Sequence, residues 1–159
     1  MEKMVINNDE FFSHVLELLE KGRQVTIPVK GYSMLPFIRG GKDLVVLEQP
    51  GPLRVDDIVL FHVGPAEGGR YIMHRILAID GDKVDIMGDG VPYNHEHVRT
   101  GQICGKAVRI LRNGMEPVDP YCARELCKVH LWQRIRPVRR YLLFIYRHLP
   151  WNRHWLEAE

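Results

Sequence analysis

The sequence predicts a mainly β protein, a small folded sheet or barrel with a helix before it and a helical tail after it. Three observations carry this. Between Val25 and Leu111 the apolar residues fall in short β-type runs separated by Gly- and Pro-rich breaks. Residues 9–21 instead repeat apolar positions at helical spacing, and the helical pattern returns after Asp119-Pro120. No alternation of strands with long helices is present, which argues against a βαβ protein.

Taken in order, Phe12, Val15, Leu16 and Leu19 form one apolar stripe of the first helix. Asn8 or Asp9 can cap its start and Gly22 can close it in a left-handed conformation. The strands expected next are Val25–Val29, Asp43–Leu47, Asp57–Val63, Arg70–Asp80, Lys83–Met87 and Ile103–Leu111. Pro28 places the first at an edge or a strand end. Asp80-Gly81-Asp82 reads as a hairpin turn. In the tail, Leu131, Ile135, Val138 and Leu142 share a face that Leu142, Ile145, Tyr146 and Leu149 continue. Pro137 should kink or split that helix.

The 159 residues suffice for one domain with a core, with 45% apolar and 26% charged residues. That composition excludes disordered, collagen-like and coiled-coil proteins. The longest strongly apolar run, Tyr141–Tyr146, is far too short to span a bilayer, and no apolar N-terminal signal is visible. Cys104, Cys122 and Cys127 fit neither a disulfide framework nor a zinc ribbon. They read as free thiols of a reducing, cytoplasmic compartment. Two regions differ in charge: residues 1–120 carry 14 Lys and Arg against 17 Asp and Glu, whereas residues 121–159 carry 8 against 3. The expected organisation is therefore a mildly acidic β domain over 1–120 and a basic, aromatic tail over 121–159.

Chemistry concentrates in Gly31-Tyr32-Ser33-Met34-Leu35-Pro36. A serine hydroxyl needs a neighbouring base to become a nucleophile. A glycine ahead of it allows a tight turn that presents the hydroxyl and leaves its N–H to bind an oxyanion. The base is found in Tyr71-Ile72-Met73-His74-Arg75-Ile76, where strand alternation puts Ile72, His74 and Ile76 on one face. Burial there disfavours the imidazolium and leaves a neutral ring able to accept a proton. Read alone, Ser33 is also compatible with an ordinary loop, and His74 with a core histidine. His95, His97 and Cys104 do not supply a fourth metal ligand at sensible spacing and read as a solvated loop, so neither a metal nor a cofactor is expected.

Ser33-Met34-x-Pro36, then Asp56-Asp57-Ile58-Val59-x-Phe61, then His74-Arg75-Ile76, then Gly88-Asp89, then Ile103-x-Gly105-Lys106 resembles the signal peptidase I family and its superfamily of LexA-like serine peptidases. The likeness runs from about Val29 to Val108. It implies the folded sheet of those proteins and hydrolysis of a peptide or leader segment with small residues before the cut. By resemblance Ser33 is the nucleophile and His74 the general base, a lysine in most bacterial signal peptidases and a histidine in the endoplasmic-reticulum and archaeal type. Arg75 matches an arginine read as structural. Gly31, Met34 and Pro36 match the segment that binds substrate and oxyanion. The secretory enzymes place an oxyanion-binding serine where this chain has Gly31. The missing donor is worth about 3 kcal/mol of transition-state stabilisation. An orienting carboxylate is expected from Asp89, with Glu96 as the alternative.

Two functional readings follow. The first is a serine endopeptidase with a Ser33–His74 dyad. The second is a non-catalytic peptide- or protein-binding module on the same fold. For residues 121–159 three readings stand open: a helix whose stripe packs on the β domain, peripheral contact with the inner face of a membrane through arginines and Trp132, Trp151 and Trp155, and nucleic-acid binding, against which the acidic body argues.

Overall fold

The computed structural model describes residues 8–65 and 68–149. Helix α1 (Asn8–Glu20) is followed by β1 (Val25–Pro28), β2 (Leu44–Glu48), β3 (Ile58–Val63), β4 (Arg70–Asp80), β5 (Lys83–Met87), β6 (Glu96–Arg99), β7 (Ile103–Arg112) and β8 (Glu116–Val118). Helices α2 (Ala123–Arg134) and α3 (Arg136–His148) complete the order. The strands form one antiparallel sheet in the order β1-β2-β7-β3-β4-β5-β6, with β8 added to β7. The mainly β class expected from the Gly/Pro-punctuated runs is the one observed.

Register breaks between Val46 and Leu47, Leu60 and Phe61, and Ile76 and Ala78 interrupt three of the ladders. An extra residue on one strand bends it and increases its twist, so the sheet folds around two apolar clusters. In one, Val15 and Leu19 of α1 pack with Ile27, Val45, Leu47, Leu60 and Ile110. The other joins Val59, Phe61, Ile76, Val84, Ile86 and Ile103. Gly22 closes α1 with φ +73°, and its N–H and that of Arg23 return to Leu19 and Leu18.

Asp43 ties the loop after Ser33 to the sheet. Its carboxylate accepts from the Arg39 N–H at 2.9 Å, from the Arg39 and Arg112 guanidiniums at 2.9 Å each, and from the Asn113 N–H at 3.1 Å. Burial alone would raise this carboxyl's pKa. The bonds from Arg39 and Asn113 outweigh that and hold it below the usual carboxylate range.

The tail departs from its expected packing. The helix does break before Pro137, with Ile135 between α2 and α3. Yet Leu131, Val138 and Leu142, three members of the expected packing stripe, are exposed, while Val129, Arg139 and Leu143 are buried. The opposite face docks because its polar groups find partners on the loops that leave the sheet. The His130 ring lies 2.7 Å from Asp56, Trp132 donates to the Asp89 carbonyl at 2.7 Å, and Arg139 donates to the Val91 carbonyl at 2.5 Å. Trp151 and Trp155 lie outside the described residues. Cys104, Cys122 and Cys127 are free thiols.

Candidate active site

Ser33 sits in the turn between β1 and β2. Gly31 enters it at φ +78°, a left-handed conformation that a side chain would strain. The turn is closed by Leu35 N–H to Tyr32 O at 3.1 Å and by Phe37 and Ile38 N–H to Met34 O at 3.0 and 2.9 Å. Met34 is buried and helps anchor the turn in the first apolar cluster. Pro36 follows it, half-buried.

His74 lies on β4, buried as its place between Ile72 and Ile76 suggests, with the Phe61 ring centroid 6.0 Å away. Its Nδ1 is 2.6 Å from Glu96 Oε2. A carboxylate only accepts, so Nδ1 is the nitrogen that donates, and in the neutral ring Nε2 is the one left to accept a proton. That Nε2 points toward Gly88. A Cβ built on Gly88 would meet the Ser33 carbonyl at 2.4 Å and His74 Nε2 at 2.9 Å. The Ser33 backbone and the imidazole therefore flank one glycine, no further apart than those two distances together. The Ser33 carbonyl is fixed from the same loop by the Gly90 N–H at 2.8 Å. Among the described residues no hydrogen bond joins the Ser33 hydroxyl to His74.

Asp89, expected to orient His74, does something else. It is buried and forks onto Arg75, with Oδ2 2.8 Å from Nη2 and Oδ1 2.9 Å from Nε. A buried guanidinium needs a buried carboxylate more than an imidazole does, and strand alternation sends Arg75 to the opposite face from His74. Burial lowers the pKa of Arg75, and Asp89 more than offsets it, so the guanidinium is held more firmly charged. Arg75 also donates to the Asp56 carbonyl at 2.9 Å, which fits the structural role expected for it.

Glu96, the alternative carboxylate, is the one in contact with the ring. It opens β6, a strand absent from the sequence reading, whose register sets Glu96 opposite Ile86 on β5. Val98 is the only buried residue of that strand, so its apolar signal is too thin to find. His95 and His97 face Asp85 at 3.1 and 3.6 Å. Among the described residues no group of three metal-ligating side chains comes together.

A groove of about 590 Å³ runs up to Ser33. Its lining includes Pro28, Val29 and Lys30, Tyr71, Ile72 and Met73, and Phe11 and Phe12 of α1. Among the described residues both strand edges beside it are open. β1 pairs only with β2, and β5 pairs with β4 only from Arg75 onward.

The family model described as signal peptidase, peptidase S26 matches residues 23–124. The chain belongs to the signal peptidase family. The match takes in every strand, the Ser33 turn, His74, Asp89 and Glu96, and it stops at the start of α2. No curated protein matches the chain. Membership of this family implies peptide or protein substrates and a serine hydrolase chemistry. Among the described residues no helix is long and apolar enough to cross a membrane.

Proposed function

We propose that this member of the signal peptidase family is a serine endopeptidase working through Ser33, His74 and Glu96. The observation that carries the reading is the His74 ring, held by Glu96 on one nitrogen with the other aimed at the loop that touches Ser33. The Ser33 hydroxyl attacks the scissile carbonyl while His74 Nε2 takes its proton. The imidazolium formed is stabilised by Glu96, and His74 then returns the proton to the leaving amine as the C–N bond breaks; a water deprotonated by the same ring hydrolyses the acyl-Ser33 and restores the hydroxyl. The Ser33 N–H binds the oxyanion, with Gly31 allowing the turn that exposes it. Such contacts commonly tighten only with substrate bound.

Substrate is read as an extended peptide. The edges of β1 and β4, unpaired among the described residues, supply main-chain donors and acceptors on both sides of the groove, the arrangement that binds strands by augmentation. Its walls are mainly apolar, so the side chains entering it are apolar or small. Glu96 replaces Asp89 in the catalytic assignment, and Asp89 with Arg75 supports the loop beneath.

The test is labelling by a fluorophosphonate. Labelling of the intact chain that is lost in both Ser33→Ala and His74→Ala supports the peptidase. A second reading, a peptide-binding module on the same fold, is favoured by the Ser33 hydroxyl standing without a bond to His74. It requires a folded protein that binds extended peptides and takes no label.

A further inference from the structure

Helix α3 is inside out for a helix packed on a globular body. Val138, Tyr141, Leu142 and Ile145 recur at i, i+3, i+4 and i+7, the spacing of a buried stripe. These four and Phe144 are instead between 42% and 63% exposed. Arg139 is turned into the protein, while Arg136, Arg140 and Arg147 stay exposed along the flanks of the helix. Arg139 is 2% exposed and reaches the Val91 carbonyl, with its Nη2 also 3.7 Å from Met87 Sδ. Arg140 donates to the Tyr93 hydroxyl at 3.0 Å, and the Arg147 guanidinium lies 4.5 Å from the centre of the Tyr32 ring. A contiguous apolar face turned to water marks an interaction surface.

We propose that the outer face of α3 docks in the plane of an anionic lipid bilayer. The charge pattern selects this occupant. Helix α3 holds four arginines and no acidic residue. Arg140 and Arg147 border the apolar face, where long cationic side chains reach the headgroups while their stems stay on apolar surface. Each such cation near an anionic surface contributes about 1 kcal/mol. A symmetric pairing of two copies through the same face would bring these arginine borders against each other. At 13 residues the helix is too short to span a membrane and must lie flat. The sequence that follows it, Trp151-Asn152-Arg153-His154-Trp155, is of the types that settle at the membrane–water interface. The docking stands apart from the peptidase reading, since no group of the proposed chemistry belongs to this face.

Flotation of the full chain with vesicles tests it. The chain should float with phosphatidylcholine vesicles containing phosphatidylglycerol and stay behind with phosphatidylcholine alone. The double substitution Val138→Glu with Ile145→Glu should lower the bound fraction at least about tenfold. Its melting temperature should stay near that of the parent, because both side chains point into water. Val138→Leu with Ile145→Leu should float like the parent. The proposal is overturned if the intact chain fails to float at low salt or floats equally with both vesicle types. It is equally overturned if the face proves to hold a dimer that the glutamates dissociate, with no flotation of the parent.

Discussion

Glu96 and His74 are separated by 22 positions and sit on β6 and β4, strands that do not pair with each other, yet their side chains meet at 2.6 Å. Strand β5 lies between them and ends at Met87, just where Gly88 turns toward Ser33. The end of one strand thus opens the space in which carboxylate, imidazole and serine backbone gather.

The carboxylate is expected to act through the ring. Replacing Glu96 with Gln keeps the shape but removes the charge that stabilises an imidazolium. The rate of fluorophosphonate labelling, and kcat once a substrate is found, should fall by up to about 10⁴-fold with KM little changed. Partial exposure of Glu96 should hold the loss below that ceiling. A Glu96→Gln protein that labels as fast as the parent would remove Glu96 from the chemistry.

Asp89 should behave in the opposite way, as a stability residue. Asp89→Ala leaves Arg75 charged in a buried site, at a cost of about 3–5 kcal/mol. For a chain of this size the melting temperature should drop by roughly 6–20 °C. Replacing both partners with apolar residues of similar volume, Arg75→Met with Asp89→Leu, should recover much of the loss. Equal melting temperatures for parent and Asp89→Ala would contradict this role.

Gly88 should tolerate no side chain. Even a methyl group would fall 2.4 Å from the Ser33 carbonyl and 2.9 Å from His74 Nε2. The Ser33 turn and the ring must then separate, and a displacement on the order of 1 Å costs about 10²-fold in rate. Labelling of Gly88→Ala by a fluorophosphonate, beside a circular dichroism spectrum like the parent's, checks it.

Acid stability should depend on Asp43. Its carboxyl is held below the usual carboxylate range in the folded chain, so it contributes stability that is fully present above the unfolded value. That contribution disappears as pH falls through the lower folded value, beginning below roughly pH 4. Denaturant titrations of the parent across this range should show a steeper loss than those of Asp43→Asn, which should be less stable at neutral pH. Parallel curves for the two proteins would assign the acid limb to other groups.

How much of this was legible follows from the range of each interaction. The stripe of α1, the glycine at its end and the long strand around His74 are patterns of neighbours in the chain, and they emerge with almost the expected bounds. Arg70–Asp80 and Lys83–Met87 agree residue for residue. Ser33 in a glycine-led turn and His74 between two isoleucines are likewise local statements. The short β6 and β8 strands escape because each has too few apolar residues to show a period, and pairing with β5 and β7 makes them strands.

The sequence by itself determined the β class, the flanking helices and the residue types able to carry peptidase chemistry, because backbone propensity and apolar period are set within a few positions. Only the tertiary structure decided which carboxylate meets the guanidinium, which meets the imidazole, and which side of α3 faces water. Asp89 stands closer to His74 in the chain than Glu96 does, but partner choice follows strand register and the demand of a buried guanidinium. Arg139 of α3 turned inward because the Val91 carbonyl waits there on a loop of the folded domain, and no periodicity along the chain encodes its position.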